Sequence, residues 1–457
     1  MADIDAFTPA HTLADAVKRR QVSALELVDA AIARIEKLDK PINAVVVRDF
    51  ERARADARKI DAHSGEAANR PLLGVPMTVK ESFDLRGHPT TWGVEAHREH
   101  RATEDALVVQ KLKAAGAIVM GKTNVPPVLA DWQSDNPIYG RTNNPYDLSR
   151  SPGGSSGGSA AALAMGFSAL EYGSDIGGSI RVPAAFCGVF GLKTSFGLVS
   201  MLGHAAGGEH GAPSLLSVVG PLARDAKDIE IALEVTAGPD AESPANRLAL
   251  PMPRQERLSS YRVFVLDNHP VAAIDGEVRR VLEETADRLT REGASVARSS
   301  NHLPDLAAMH RNYLSMLQTI VTRRSAAQER PPISAHEWFA LVDQQLRVRR
   351  QWADFFRHFD VLIAPDFSRS AFPHTSEPNW RHRSLTIDGE ATPYGAQLAW
   401  AGLASFGNLP STATPMGLAA DGLPLSLQVI GPFLEDRTSL DVAVRIARPM
   451  PPPKLAI

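Results

Sequence analysis

Apolar positions recur at helical spacing in several stretches of the chain. Leu27, Val28, Ala31, Ile32, Ile35 and Leu38 fall on one helix face. Ser23-Ala24-Leu25-Glu26, just ahead of them, has the form of a capping box. With a turn of helix at 12–20 this predicts an N-terminal helical arm. Similar spacing predicts helices at 49–63, 103–115 (Leu107, Val108 and Leu112 inward), 225–236, 275–291, 305–320, 334–358, 393–403 and 436–448. Short apolar runs bounded by Gly, Pro or polar residues predict strands at 44–47, 77–79, 117–120, 169–173, 261–266, 294–297, 359–364, 410–415 and 425–430. The strand, helix, strand order over 261–297 implies a parallel crossover. The stretches 237–259 and 367–389 lack either period and are expected to be loops, and no internal repeat is visible.

This alternation points to an α/β protein, and the chain of 457 residues can bury a large core. Apolar residues make up 44% and the formal net charge is −3. That balance suits a soluble globular protein and gives no bulk signal for nucleic acid or an anionic membrane. The single cysteine, Cys187, allows no intrachain disulfide and fits a reducing, cytoplasmic compartment. No secretory signal and no apolar run of about 20 residues is visible.

The densest chemistry lies at 151–193. It holds two serine-bearing glycine loops, Gly153-Gly154-Ser155-Ser156-Gly157-Gly158 and Ile176-Gly177-Gly178-Ser179, with a small-residue helix at 159–167 between them. Glycine lets a backbone turn sharply and lets a ligand approach it. An Ile-Gly-Gly-Ser loop can aim consecutive N–H groups at one point and stabilise an oxyanion. The bland alternative is a flexible Gly/Ser linker. It sits badly with the helix-forming Ala160-Ala161-Ala162-Leu163 that follows and with the second Gly-Gly-Ser.

Other motifs have rival readings. Lys80, at the end of the 77–79 strand, is either a snorkelling surface lysine or a desolvated base. The run from Gly116 to Thr123 matches a phosphate loop, which would make the chain a nucleotide binder. Its middle residues read as a strand, and Pro126-Pro127 leaves no room for the helix that motif needs. Gly153-Gly154-Ser155-Ser156-Gly157 is formally a nucleophile elbow, the mark of an esterase using Ser155, but no strand precedes it. His204 and His210, in the glycine-rich 201–211 stretch, are expected to be solvated loop histidines. Trp132, Gln133, Met309 and Tyr313 are candidate substrate-binding residues, with Met309, Tyr313 and Met316 also readable as a core stripe.

Taken together, these motifs resemble the amidase signature family. The match is carried by Gly74-Val75-Pro76 with Lys80, Gly121-Lys122-Thr123-Asn124, Ser151 through Gly158, Asp175-Ile176-Gly177-Gly178-Ser179-Ile180-Arg181, Pro183-Ala184, Cys187-Gly188 and Gly191-Leu192-Lys193. Weaker support comes from Gly220 to Arg224 and Asp421 to Pro424. Dense matching covers 72–239, with a second patch at 359–448. The resemblance implies one large domain spanning 1–457, a twisted mixed sheet sandwiched between helices. Within it 1–65 would be the helical arm, 72–239 the signature core, 240–358 a variable region and 359–448 the rest of the core.

The resemblance also implies a serine amidohydrolase with a Ser-Ser-Lys triad. Ser179 would be the nucleophile and Ser155 the bridging serine, on a cis peptide after Gly154. Lys80 would be the base. The N–H groups of Ile176, Gly177, Gly178 and Ser179 would form the oxyanion hole, with Asp175, Arg181 and Ser156 supporting it. Neither metal nor organic cofactor is implied. The substrate would be a small amide, carbamate or ester. Met309, Met316 and Trp132 favour an aryl or hydrophobic acyl group. The chain would act as a monomer or homodimer. The alternative within the family is a glutaminase-type subunit of a tRNA-dependent amidotransferase. Its characteristic Ser-Asn-Leu-Ala-Arg-Tyr-Asp-Gly stretch is absent from 309–320. The chain also departs from common family forms at Thr194-Ser195 and in the 201–211 stretch.

Overall fold

The chain enters through two helices, α1 (Ala10–Lys18) and α2 (Ala24–Leu38), whose register is set locally. The Ser23 side chain accepts from the Glu26 N–H while the Glu26 carboxylate accepts from the Ser23 N–H, so both bonds of the capping box form. The computed structural model describes residues 4–62, 69–208, 211, 214–240, 248–323 and 332–456. His210 lies outside them.

The first half continues through β1 (Val45–Arg48), α3 (Phe50–Ala62), β2 (Pro76–Lys80), α4 (Leu107–Ala114) and β3 (Ile118–Thr123). A short hairpin, β4 (Asp135–Asn136) and β5 (Gly140–Arg141), precedes α5 (Gly157–Ala164) and β6 (Leu170–Asp175). Then come α6 (Arg181–Cys187), β7 (Phe190–Lys193), β8 (Val218–Ala223) and α7 (Ala226–Thr236). The second half holds β9 (Arg262–Val265), α8 (Gly276–Arg291), β10 (Ser295–Ala297), α9 (Leu306–Thr322), α10 (Ala335–His358) and β11 (Val361–Pro365). It ends with β12 (Ser384–Ile387), β13 (Glu390–Pro393), α11 (Leu398–Phe406), β14 (Ser411–Leu418), β15 (Pro424–Ile430) and α12 (Asp436–Ile446).

Eleven strands form one mixed sheet in the order β1-β3-β2-β6-β8-β7-β14-β15-β11-β9-β10. The pairs β2–β3, β2–β6, β9–β11 and β9–β10 are parallel, and the middle of the sheet is antiparallel. Twelve α-helices flank it among the described residues. The result is the mixed α/β fold expected, with the parallel β9–α8–β10 crossover in place. One apolar cluster, with Val28, Met77, Val119, Leu163 and Leu192, fills the first half; a second, with Val263, Leu282, Trp352, Ile363 and Leu427, fills the other.

Three departures have physical causes. The 367–389 stretch is not all loop. Leu385 and Ile387 alternate with Ser384 and Thr386, and β12 pairs with β13 around Asp388-Gly389, burying those two apolar residues against Phe367 and Phe372. The strands β7 and β8 and helix α6 carry no clear period in sequence because every residue in them is buried. His204 is not solvated. It is 8% exposed, its Nε2 lies 3.0 Å from Ser82 Oγ, and its ring meets Phe83 and Trp92. Burial above all pushes its pKa down to about 3, so it stays neutral.

Gly116 to Thr123 is no phosphate loop. Ile118–Thr123 is a wholly buried strand, and Lys122 Nζ donates to the Pro89 carbonyl and to Thr90 Oγ1. The helical arm folds back on its own chain: the Ala10 and His11 N–H groups both donate to Asp228 on α7.

Candidate active site

Three segments converge at the carboxyl ends of the adjacent parallel strands β2 and β6, the edge where open α/β sheets bind ligands. Lys80 is the last residue of β2, a strand buried at all five positions. Its side chain is 0% exposed, which removes the surface-lysine reading. Nζ lies 2.6 Å from Ser155 Oγ, 3.0 Å from Ser174 Oγ and 3.4 Å from the Ser174 carbonyl. Burial holds its pKa well below the usual lysine value, and the Asp175 carboxylate only partly opposes that shift. Sequence reasoning missed Ser174, whose one available signal is its place just before Asp175 on β6.

Ser155 sits in the glycine loop that opens α5, on a cis Gly154–Ser155 peptide. No strand precedes it, so the nucleophile-elbow geometry is absent. The loop is clamped from outside. Ser151 Oγ donates to the Trp132 carbonyl at 2.6 Å, and Ser134 Oγ links the Gly153 carbonyl to the Gly157 N–H at 3.3 and 3.1 Å. A Cβ on Gly154 would collide with the Asp131 carbonyl oxygen, so only glycine lets these two backbones pass so closely. Ser156 joins the two loops: its N–H donates to the Ser179 carbonyl at 3.2 Å.

Ser179 lies in the turn from β6 to α6 and is 6% exposed. The Asp175 carboxylate organises that turn, accepting from the N–H groups of Gly178 (2.9 Å) and Ile180 (3.0 Å). Arg181 grips the same carboxylate through Nε and Nη2, at 3.1 and 3.0 Å. Its remaining donors reach Gln428 Oε1 (2.8 Å), Ser405 Oγ (3.1 Å) and the Ala401 carbonyl (3.2 Å). Burial alone would raise the Asp175 pKa, but the Arg181 charge and hydrogen bonds outweigh it and hold the group at about 2. The pair is therefore ionised and fully hydrogen-bonded inside the core, which is how a buried charge pair is tolerated.

Of the four N–H groups assigned to an oxyanion hole, one has another use. Gly178 donates to Asp175, whereas the N–H groups of Ile176, Gly177 and Ser179 make no hydrogen bond to another described residue. The carbonyls on the far side of this turn are held: Tyr313 Oη donates to the Ile176 carbonyl at 2.9 Å and Trp132 Nε1 to the Gly177 carbonyl at 3.0 Å.

The substrate-binding assignments fare differently. Trp132 and Tyr313, 7% and 0% exposed, touch the Ser179 turn from behind. Gln133 pairs through both ends of its amide with the Thr375 backbone and so ties its loop to the 372–383 segment. Met309 is packed in the second apolar cluster with Tyr313 and Met316. Thr194 and Ser195 bond to the Val219 carbonyl and to Asp436, which pins β7 to β8 and α12.

Among the described residues one group, His302, Asp354 and His358, brings metal-ligand atoms within 4.8 Å of one another. The two imidazoles are stacked, with centroids 3.7 Å apart and planes at 20°. Their in-plane lone pairs therefore run side by side and do not converge on a point. No described helix is long and apolar enough to cross a membrane.

Comparison with known proteins accords with this geometry. The Amidase family model matches residues 26–327 and 309–440. A glutamyl-tRNA(Gln) amidotransferase subunit from Roseiflexus sp. (strain RS-1) is 32% identical over 474 residues, covering 94% of this chain and 93% of that protein. The solved 6-aminohexanoate cyclic dimer hydrolase, complexed with substrate, superposes with a TM-score of 0.79 at 26% identity, over 99% of this chain and 100% of that one. A bacterial aryl acylamidase of the amidase signature enzymes shares the fold, with a TM-score of 0.79 at 23% identity over 97% and 99% of the two chains. With a buried lysine, two serine loops and a matching fold along nearly its whole length, this chain belongs to the amidase signature family.

Proposed function

We propose that this protein is a serine amidohydrolase that cleaves a small carboxylic amide through an acyl-enzyme on Ser179. The single observation that carries the reading is the buried Lys80 amine 2.6 Å from Ser155 Oγ, its pKa lowered by burial. A serine hydroxyl is a weak nucleophile until a base takes its proton. A neutral Lys80 accepts a proton from Ser155, which accepts one from Ser179, and Ser179 Oγ attacks the amide carbon. The charge that develops on the carbonyl oxygen is met by the N–H groups of Ile176, Gly177 and Ser179, which have no partner among the described residues. The proton then passes back through Ser155 to the departing amine, and water releases the acyl group. Aryl acylamides, carbamates and esters present a similar acyl carbon and fall within this chemistry.

Ser179→Ala tests the reading on a panel of p-nitroanilides and aryl carbamates. Loss of turnover, with loss of labelling by a fluorophosphonate probe, is expected; a variant that still hydrolyses the panel at the parent rate would refute it. The amidotransferase relative supports a second reading, a glutaminase-type component of a larger enzyme. Stable co-purification with partner chains, together with glutamine hydrolysis, would favour it.

A further inference from the structure

We propose that Tyr313 and Trp132 are positioning residues of the Ser179 turn, which by holding the carbonyls of Ile176 and Gly177 from behind face the Gly177 N–H toward the reacting carbonyl oxygen. This rests on the reading of Ser179 as the nucleophile. In a trans peptide the C=O and the N–H point in opposite directions. The Ile176 carbonyl and the Gly177 N–H belong to one such plane, and so do the Gly177 carbonyl and the Gly178 N–H. Tyr313 Oη pulls the first carbonyl outward at 2.9 Å, leaving the Gly177 N–H facing the other way without a partner among the described residues. Trp132 Nε1 holds the second at 3.0 Å, while the N–H of that plane reaches Asp175 at 2.9 Å. Two successive planes are thus pinned at both faces, save for the one donor left for a ligand.

The pinning matters because the residue between the two planes, Gly177, and the one that follows the second, Gly178, are both glycines. Gly178 has φ of +94°, and neither glycine carries a Cβ to resist rotation of its peptide. The clamps themselves are rigid. A Cβ on Gly402 would stand 2.8 Å from Tyr313 Cδ1, so α11 packs directly on that ring. Burial keeps the Tyr313 hydroxyl protonated at any working pH, so it remains a donor. A donor on a carbonyl also polarises its peptide and strengthens the opposite N–H as a donor. Tyr313 comes from α9, 137 residues beyond Ile176 and outside the stretches of dense family matching, so α9 is coupled to the catalytic turn.

The experiment compares Tyr313→Phe, Trp132→Phe and Ser179→Ala in the full chain. Rates of the two positioning variants are expressed per active site titrated with a fluorophosphonate, so that an unfolded fraction does not count, and the rate of Ser179→Ala, which has no serine to label, is expressed per mole of folded protein. Removing one oxyanion donor outright costs ~100–1000-fold in kcat. Tyr313→Phe, which only frees the donor's peptide, is expected to lower kcat about 10-fold while KM stays within about two-fold. The Ki of a trifluoromethyl ketone, which forms the oxyanion, should rise by the same factor, and Trp132→Phe should show the same pattern more weakly. A raised KM with unchanged kcat would make these residues pocket walls and overturn the proposal, as would unchanged kinetics in both variants. Undiminished turnover by Ser179→Ala would instead overturn the nucleophile assignment on which the proposal stands.

Discussion

Lys80 Nζ and Ser155 Oγ lie 2.6 Å apart at the end of a fully buried strand, and Lys80 makes no salt bridge with any described carboxylate. That relationship is unusual for lysine, which nearly always keeps its charge in water or pairs it. Among the described residues Nζ meets only hydroxyls and a carbonyl. The energetic consequence is a bias toward the neutral amine, the one form that can take a proton.

The sign of the pH dependence follows. Below its own pKa Lys80 is protonated and cannot accept from Ser155; above it the amine is free. The proposed mechanism therefore gives kcat/KM an acid limb that rises with pH and levels off well below 10.5, the ordinary lysine value. Lys80→Met, which keeps the apolar stem, should remove that limb and lower kcat ~100–10,000-fold, the usual weight of general acid–base catalysis. A pH–rate profile of the two proteins checks this.

Ser155 carries a separate prediction, because in the proposed path it hands the proton to the leaving group. An amine leaves only when protonated, whereas a nitrophenolate leaves without help. Ser155→Ala should therefore depress hydrolysis of an anilide about 10-fold or more beyond its effect on the matching nitrophenyl ester. Paired kinetics on an anilide and an ester of the same acid provide the measurement.

Asp175 and Arg181 bind each other in the core, 1% exposed each, with every contact oriented. Asp175→Asn leaves a buried guanidinium without its counter-charge and puts an NH2 donor in place of one of the two oxygens that accept from the Gly178 and Ile180 N–H groups. Removing one partner of such a pair typically costs about 3–5 kcal/mol. Urea unfolding should show a loss of that size, together with inactivation of the folded fraction.

Glu171 offers a stability test away from Lys80, Ser155 and Ser179. It is 0% exposed, accepts from Thr78 and from Ser168 Oγ, and has Oε2 without a partner among the described residues. Burial raises its pKa to about 8 from the usual 4.5. Between those values the native protein keeps a proton that the unfolded chain has released, so this group makes stability fall as pH rises from 4.5 to about 8. Glu171→Gln cannot ionise. Urea midpoints measured at pH 5 and pH 8 should drop less with rising pH in the variant than in the parent.

Local chemistry made much of the fold legible in advance. The Ser23–Glu26 capping box forms as its spacing requires, and the periodic stretches become α2, α8, α9 and α10. Where every residue is buried, as in β7, β8 and α6, alternation vanishes and with it the sequence signal. The 367–389 stretch hides its hairpin for the opposite reason: β12 and β13 span only four residues each and are mostly exposed, too short for a clear pattern.

For the site, sequence alone determined which chemical groups were present and their local settings: Lys80 at the end of β2, Ser155 in the glycine loop before α5, Ser179 in the glycine loop after β6. Spacing and side-chain type are properties of neighbouring residues, so they can be read along a chain. Tertiary structure decided the protonation bias of Lys80, the engagement of the Gly178 N–H by Asp175, and the hydrogen bonds that Trp132 and Tyr313 donate to the Gly177 and Ile176 carbonyls. Those outcomes depend on burial and on which groups, up to 137 residues apart, reach one another first. Desolvation and hydrogen-bond competition act through space, and no pattern along the chain records them.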